Sequence, residues 1–287
     1  MQAAPHPEFF HTLLALVLVS AASVIGSVSF ALGKRLQLFL PYLLSAAAGA
    51  LLGTALYSLL PEALERSSSK RVGLILIIGF LLSFLLERVL GFSFVDNGTA
   101  TASHMAAAVE RTSSFHHRHE HNSAVGKPLV LNVLLSGAIH SLVDGVGIAV
   151  AFSSSHSAGV ATALAVLLHE VPHHIADVGV LIYSGISKPR AILLNVLATT
   201  GCATGGVLVL IFGSWASDLA HVLLPFTAAN FLYIAVGILM PELQHEKSPR
   251  RSLLQVLTLF LAVIGVSSIS HYFPEEASSS TLAHVLK

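Results

Sequence analysis

Long apolar stretches separated by short polar breaks set the plan of this chain. Eight of them run roughly over His11–Leu32, Phe39–Leu60, Val72–Phe92, Leu129–Phe152, Gly159–Tyr183, Arg190–Gly213, Val222–Glu242 and Leu253–Tyr272. A helix of about 20 apolar residues crosses a bilayer, and it satisfies every backbone polar group internally while doing so. The pattern therefore predicts an all-α membrane protein with eight transmembrane helices. Residues 1–92 hold spans 1–3, residues 93–127 form the single long polar connection, and residues 128–287 hold spans 4–8.

Two spans break their own apolar pattern. In span 5, Leu167 to Asp177 reads L-L-H-E-V-P-H-H-I-A-D. At 3.6 residues per turn His169, His173 and Asp177 stack on one helix face, with Glu170 and His174 on the next. In span 4, His140-Ser-Leu-Val-Asp144 puts an imidazole and a carboxylate one turn apart, with the Ser141 hydroxyl beside them. Ionisable groups inside a membrane are expensive and by default mark a functional site. Polar residues can also seal a helix–helix contact by hydrogen bonds, and for one histidine that would be the better reading. Five such groups within nine residues, with a second polar helix next in the chain, argue for a site. Imidazole and carboxylate at this spacing suit a divalent transition metal, zinc being the first expectation. The short connection Ser153–Ala158 makes spans 4 and 5 an antiparallel hairpin able to bring the two faces together. Pro172 removes one helical hydrogen bond and is expected to kink span 5 near the Leu168 carbonyl.

The remaining spans read as packing elements. Span 1 is rich in Ala, Ser, Val and Gly, as expected of a helix that packs closely on a neighbour. Span 3 is uniformly apolar and expected to face lipid, and span 8 reads as scaffold. Gly137, Gly145 and Gly147 in span 4 and Gly201-Cys-Ala-Thr-Gly205 in span 6 allow close backbone approach, and Cys202 belongs to that packing. Thr199, Thr200 and Thr204 add neutral polar atoms to span 6, and Asn230 in span 7 is placed either to reach a cavity or to pack. Span 2 ends in Leu60-Pro-Glu62 and span 7 in Met240-Pro-Glu242. Pro-Glu endings on spans of opposite direction hint at an inverted repeat, with both glutamates nearer a mouth or interface than the membrane centre.

Composition supports this picture and removes alternatives. The 287 residues are 54% hydrophobic and only 10% charged, against about 25% charge in a soluble domain. Fifteen Lys plus Arg balance fifteen Asp plus Glu, so no basic surface is available for nucleic acid. One cysteine excludes an intrachain disulfide and a thiolate zinc cluster. Residues 1–10 lack Lys and Arg, and the long run after them fits a retained first span better than a cleaved signal. Sixteen histidines are a bias toward metal handling. Four of them, His116, His117, His119 and His121, lie in the 93–127 connection, whose composition reads as disorder. They could gather metal loosely or be a solvated tail. Asn97-Gly-Thr99 matches a glycosylation acceptor but falls on the cytoplasmic side of the expected topology, so it is discounted. That topology follows from the loops after spans 1, 3, 5 and 7. They hold Lys34, Arg35, Arg111, Arg118, Lys127, Lys188, Arg190, Lys247, Arg250 and Arg251, with Arg88 at an adjoining helix end; the other side has Arg66, Lys70, Arg71 and Lys287. The excess places both termini on the non-cytoplasmic side.

His-Ser-x-x-Asp-Gly in span 4 and His-Glu-x-Pro-His in span 5 resemble the paired motifs HNxxDG and HExPHE of the ZIP family of divalent-metal transporters. The eight spans, the outside termini and the His-rich connection between spans 3 and 4 are also similar. The resemblance implies a 3+2+3 bundle and movement of zinc, or of iron, manganese or cadmium, toward the cytoplasm. It further implies a binuclear site between spans 4 and 5, and a homodimer in the lipid bilayer. It carries over His140, Asp144, His169, Glu170 and His173 as metal ligands. Ser141 stands where the family has Asn, and His174 where it has the final Glu. Both changes remove an oxygen ligand or a negative charge near the second metal position. Two other classes compete. His169-Glu-Val-Pro-His173 satisfies the H-E-x-x-H pattern of a metalloprotease, with Glu170 as general base and both histidines on zinc. Against it, Pro172 disturbs the helix that must present both histidines. A cation-diffusion exporter also uses intramembrane His and Asp, but with about six spans and cytoplasmic termini.

Overall fold

A computed structural model describes residues 7–29, 34–95 and 126–272, all but a few of them helical. Eight helices among them are long and apolar enough to cross a membrane. Span 1 is the helix Pro7–Ser29 and span 3 is Ser69–Val95. Spans 4, 5 and 6 are Gly126–Ser154, His156–Tyr183 and Lys188–Ile211, and span 8 is Pro249–Tyr272. Span 3 and span 4 reach a few residues into the connection assigned to 93–127, because Phe92, Phe94 and Val95 continue the apolar run. Residues 96–125, with the histidine cluster and Asn97, lie outside the described residues.

Spans 2 and 7 are built alike. Each is an α-helix that loosens into a π-helical segment and then tightens again, Lys34–Gly53, Thr54–Leu59 and Leu60–Arg66 in one, Gly213–Leu232, Tyr233–Leu239 and Met240–Leu243 in the other. In both, a proline sits at the start of the final piece and is followed by the glutamate noted in the sequence, Glu62 and Glu242. A π segment shifts the hydrogen-bond ladder and re-aims the side chains that follow. Thr54, at the start of the first such segment, donates its hydroxyl to the Ala161 carbonyl of span 5 at 3.2 Å.

The packing partners repeat this likeness at the scale of the bundle. Span 1 packs on span 5 as span 4 packs on span 6, and span 2 packs on span 8 as span 7 packs on span 3. Exchanging 1 with 6, 2 with 7, 3 with 8 and 4 with 5 leaves this set of contacts unchanged. Spans 1 and 6 run in opposite directions, so the repeat is inverted, as the two Pro-Glu endings suggested. Spans 4 and 5 take the middle: span 4 touches spans 1, 3, 6 and 7, and span 5 touches 1, 2, 6 and 8.

Missing side chains make the closest crossings possible. A Cβ on Gly145 would stand 1.9 Å from the Cys202 carbonyl oxygen, and one on Gly205 would stand 2.2 Å from that of Leu142. Spans 4 and 6 therefore touch backbone to backbone, the arrangement small residues permit inside a membrane. Gly26 gives span 1 the same access to span 5, where its Cβ would lie 2.8 Å from the Val171 carbonyl oxygen. Span 3 carries the exposed apolar face expected of it, with Leu74, Ile77 and Leu81, and span 8, read as scaffold, carries one too, with Phe260, Leu261 and Ile264.

Candidate metal centre

Local rules place the polar residues of spans 4 and 5 opposite each other. The two helices are separated by Ser155 alone, whose side chain caps span 5 by accepting from the Ala158 amide at 3.2 Å. His140 and Asp144, one turn apart, then face His169 and Glu170 at the same depth. Span 5 stays helical through Pro172, which is buried.

His140, Asp144, His169 and Glu170 form one group whose potential ligand atoms lie within 4.8 Å of one another. His169 Nε2 stands 3.1 Å from Asp144 Oδ2 and 3.2 Å from His140 Nε2, and His140 Nε2 stands 3.4 Å from the same carboxylate oxygen. The other ring nitrogen of His169, Nδ1, donates to the Ala165 carbonyl at 3.0 Å. In the neutral ring that bond leaves Nε2 as the nitrogen able to ligate a metal. Two buried carboxylate oxygens, Asp144 Oδ1 and Glu170 Oε1, have no hydrogen-bond partner among the described residues. Buried carboxylate oxygens without partners are costly, and a divalent cation would satisfy them.

A second group lies one turn further along span 5. His173 Nδ1 approaches Asp177 Oδ2 to 3.2 Å without hydrogen-bond geometry, and His174 Nδ1 comes within 3.8 Å of the same oxygen. These three can also bring ligand atoms within 4.8 Å of one another. The His140 and His173 rings stack at 4.6 Å and 13°, joining the two groups into one row.

The row has a wet side and a dry side. A cavity of about 150 Å³ reaches His140, His169 and His173, and Ser136, Asn230 and Tyr233 also line it. Its walls come from the second half of span 3, the first half of span 4 and the second half of span 7, so it lies in the half of the bundle nearer the connections after spans 3 and 7. Toward the opposite face the centre is backed by fully buried apolar residues, Ile148 and Val150 of span 4, Ala161 and Val166 of span 5 and Leu224 of span 7. On the dry side, Glu170 Oε2 accepts from the Ser23 hydroxyl of span 1 and lies 2.8 Å from His174 Nε2. Asn195 of span 6 places its Nδ2 3.2 Å from His174 Nδ1 and donates to Ser27 Oγ at 2.9 Å. Glu170, His174, Ser23, Ser27 and Asn195 are all buried.

Of the seven residues singled out, His140, Asp144, His169, Glu170, His173 and His174 fall into these two groups. Ser141 is fully buried on the side of span 6, its Cβ near the site of a Gly201 side chain and its hydroxyl without a partner among the described residues. Asn230 does line the cavity, where its Oδ1 accepts from the Ser83 hydroxyl at 3.1 Å. Thr199, Thr200 and Thr204 bond their own helix carbonyls. Ser23, Ser27 and Asn195 escaped sequence reading, because one serine or asparagine in an apolar span carries no spacing signal. Glu62 pairs with Arg66 at 2.7 Å at the far end of span 2, away from the centre.

The sequence profile of the ZIP zinc transporter family matches residues 9–270. The chain is 38% identical over 145 residues to the human zinc transporter SLC39A7, an alignment covering 48% of this chain and 31% of that protein. It is 32% identical over 262 residues to zebrafish (Danio rerio) zinc transporter ZIP13, covering 79% of this chain and 74% of the relative. Against the yeast (Saccharomyces cerevisiae) zinc transporter YKE4 it is 28% identical over 233 residues, covering 75% of this chain and 64% of the relative. The chain thus spans about a third of the length of the mammalian relatives it matches. These relatives are transporters, and the metalloprotease reading finds no support among them. The geometry disfavours it too, since Glu170 is held by Ser23 and His174 on the dry side rather than facing a water in the cavity.

Proposed function

Because the chain belongs to the ZIP zinc transporter family, we propose that it carries divalent metal ions, zinc first, across a membrane toward the cytoplasm through the centre between spans 4 and 5. One observation carries the reading most directly. Imidazole nitrogens and two unpartnered carboxylate oxygens converge at mid-span, at the end of a cavity in one half of the bundle.

The ion sheds water and takes nitrogen and carboxylate ligands from His140, Asp144, His169 and Glu170, the mix preferred by zinc. His173 and Asp177, with His174 behind them, offer a second position along the same path. Iron, manganese or cadmium could use the same donors with different affinity. With one face sealed and the other open, passage needs alternating access. Spans 1, 4, 5 and 6 pack mainly on one another, as do spans 2, 3, 7 and 8, so the two sets form the natural halves of a rocking motion. The charge count places the open face and the His-rich connection in the cytoplasm and both termini outside it. The protein is taken to work as a homodimer in the bilayer, as the family resemblance implies.

Zinc flux into proteoliposomes of the purified chain tests the proposal. Wild-type protein should move zinc, and His140→Ala or His169→Ala, matched for membrane insertion, should abolish it. Absence of zinc flux in wild type, or full flux in both variants, would overturn the assignment.

A further inference from the structure

Outside the transport path, the described residues hold one other group able to ligate a metal: Glu8 and His11 of span 1 with His156 of span 5. Their ligand atoms can all come within 4.8 Å of one another. Glu8 Oε2 stands 3.3 Å from His156 Nδ1 and 3.9 Å from His11 Nδ1, and the two imidazole rings meet edge to face with centroids 4.7 Å apart. We propose that Glu8, His11 and His156 form a second, separate binding site for a zinc-type divalent cation at the sealed face of the bundle.

Several features make this more than a chance meeting of surface groups. The three residues come from two helices, with Glu8 and His11 one turn apart on span 1 so that both side chains point at the same place on span 5. His156 is held there by its surroundings. Ser155 caps the helix immediately before it, Phe152 packs against its ring at 5.9 Å, and Gly159 leaves room for that phenyl group. One carboxylate and two imidazoles are a common zinc donor set that leaves a position for water. All three side chains keep roughly a third or more of their surface, so an ion can reach them without a conformational change. Below them lies an apolar cavity of about 220 Å³ lined by Leu14, Phe152 and Val160, which adds no competing polar ligand.

The location suggests a use. His156 and His169 are on the same helix, about 20 Å apart at 1.5 Å per residue, so the site is distinct from the transport centre. It lies on the face from which the centre is closed, whereas the cavity opens on the other. A weak, exchangeable site there would collect ions where the path must next open. It would also clasp span 1 to span 5, the two helices joined deeper down by Ser23 and Glu170.

The test reads binding, not transport, and so is independent of the transport assignment. It uses the 287-residue chain with His116, His117, His119 and His121 replaced by Ala, to remove the histidine cluster of the 93–127 connection. In that background His11→Cys offers a thiolate to cobalt(II), and the native Cys202 is buried and does not compete. The expected result is a cobalt–thiolate charge-transfer band that disappears when Glu8→Gln and His156→Ala are added. Equilibrium zinc counts should fall by about one ion per chain in Glu8→Gln/His11→Ala/His156→Ala, while the zinc lost in His169→Ala is still bound by that triple variant. Failure of the band to form, or an unchanged zinc count in the triple variant, would show that Glu8 and His156 form only a hydrogen bond.

Discussion

At the scale of single residues, the centre is asymmetric. Its cavity side is made of ligands and its dry side of residues that hold the ligands. His174 belongs to the dry side: its Nε2 meets Glu170 and its Nδ1 meets Asn195. A glutamate there would add a second carboxylate to a pocket that already holds Glu170 with one unpartnered oxygen. His174→Glu is therefore expected to broaden selectivity toward harder ions, measured as the ratio of manganese to zinc flux. An unchanged ratio would mean that residue 174 acts only through Glu170. Asn195 touches His174 and Ser27 but neither ligand group's open face. Asn195→Ala should weaken metal binding by about 10-fold or more through loss of orientation, raising the KM for zinc while leaving the maximal rate within a few fold. A fall in maximal rate with KM unchanged would contradict a positioning role.

At the scale of the helix, the crossings decide whether the site exists. Span 4 can bring His140 and Asp144 to span 5 only if it also nests against span 6, and that contact is backbone on backbone at Gly145, Gly201 and Gly205. A methyl group at Gly205 would have to push the Leu142 carbonyl oxygen away from 2.2 Å. Gly205→Ala should destabilise the protein by about 1–3 kcal/mol, seen as a lower Tm in detergent, although no polar group is altered. A Tm equal to wild type would show that spans 4 and 6 can separate without cost. By contrast Gly73 and Gly265 have open space around them, so alanine there should be tolerated.

At the scale of the whole molecule, the inverted repeat yields a path that is closed at one end and open at the other. This asymmetry can be checked from the side chains. Ser136 lines the cavity and Ala161 is fully buried at the sealed end. A membrane-impermeant thiol reagent should label Ser136→Cys from the face bearing the 3–4 connection and leave Ala161→Cys unlabelled. The native Cys202 is buried and provides a quiet background. Labelling of both positions from one face would mean that the apolar seal is not closed. The chain by itself determined the eight spans, because the bilayer demands a fixed length of apolar helix whatever the neighbours. It also determined the ligand face of spans 4 and 5, because helical periodicity and the cost of intramembrane charge act within one or two helices. Only the tertiary structure decided which face of the bundle the cavity meets, and that Ser23, Ser27 and Asn195 stand behind Glu170 and His174. Only the fold joined Glu8 and His11 to His156, residues some 145 positions apart. Such contacts depend on how separate helices cross, and a crossing is set by small residues and backbone approach, which leave no periodic mark in the sequence.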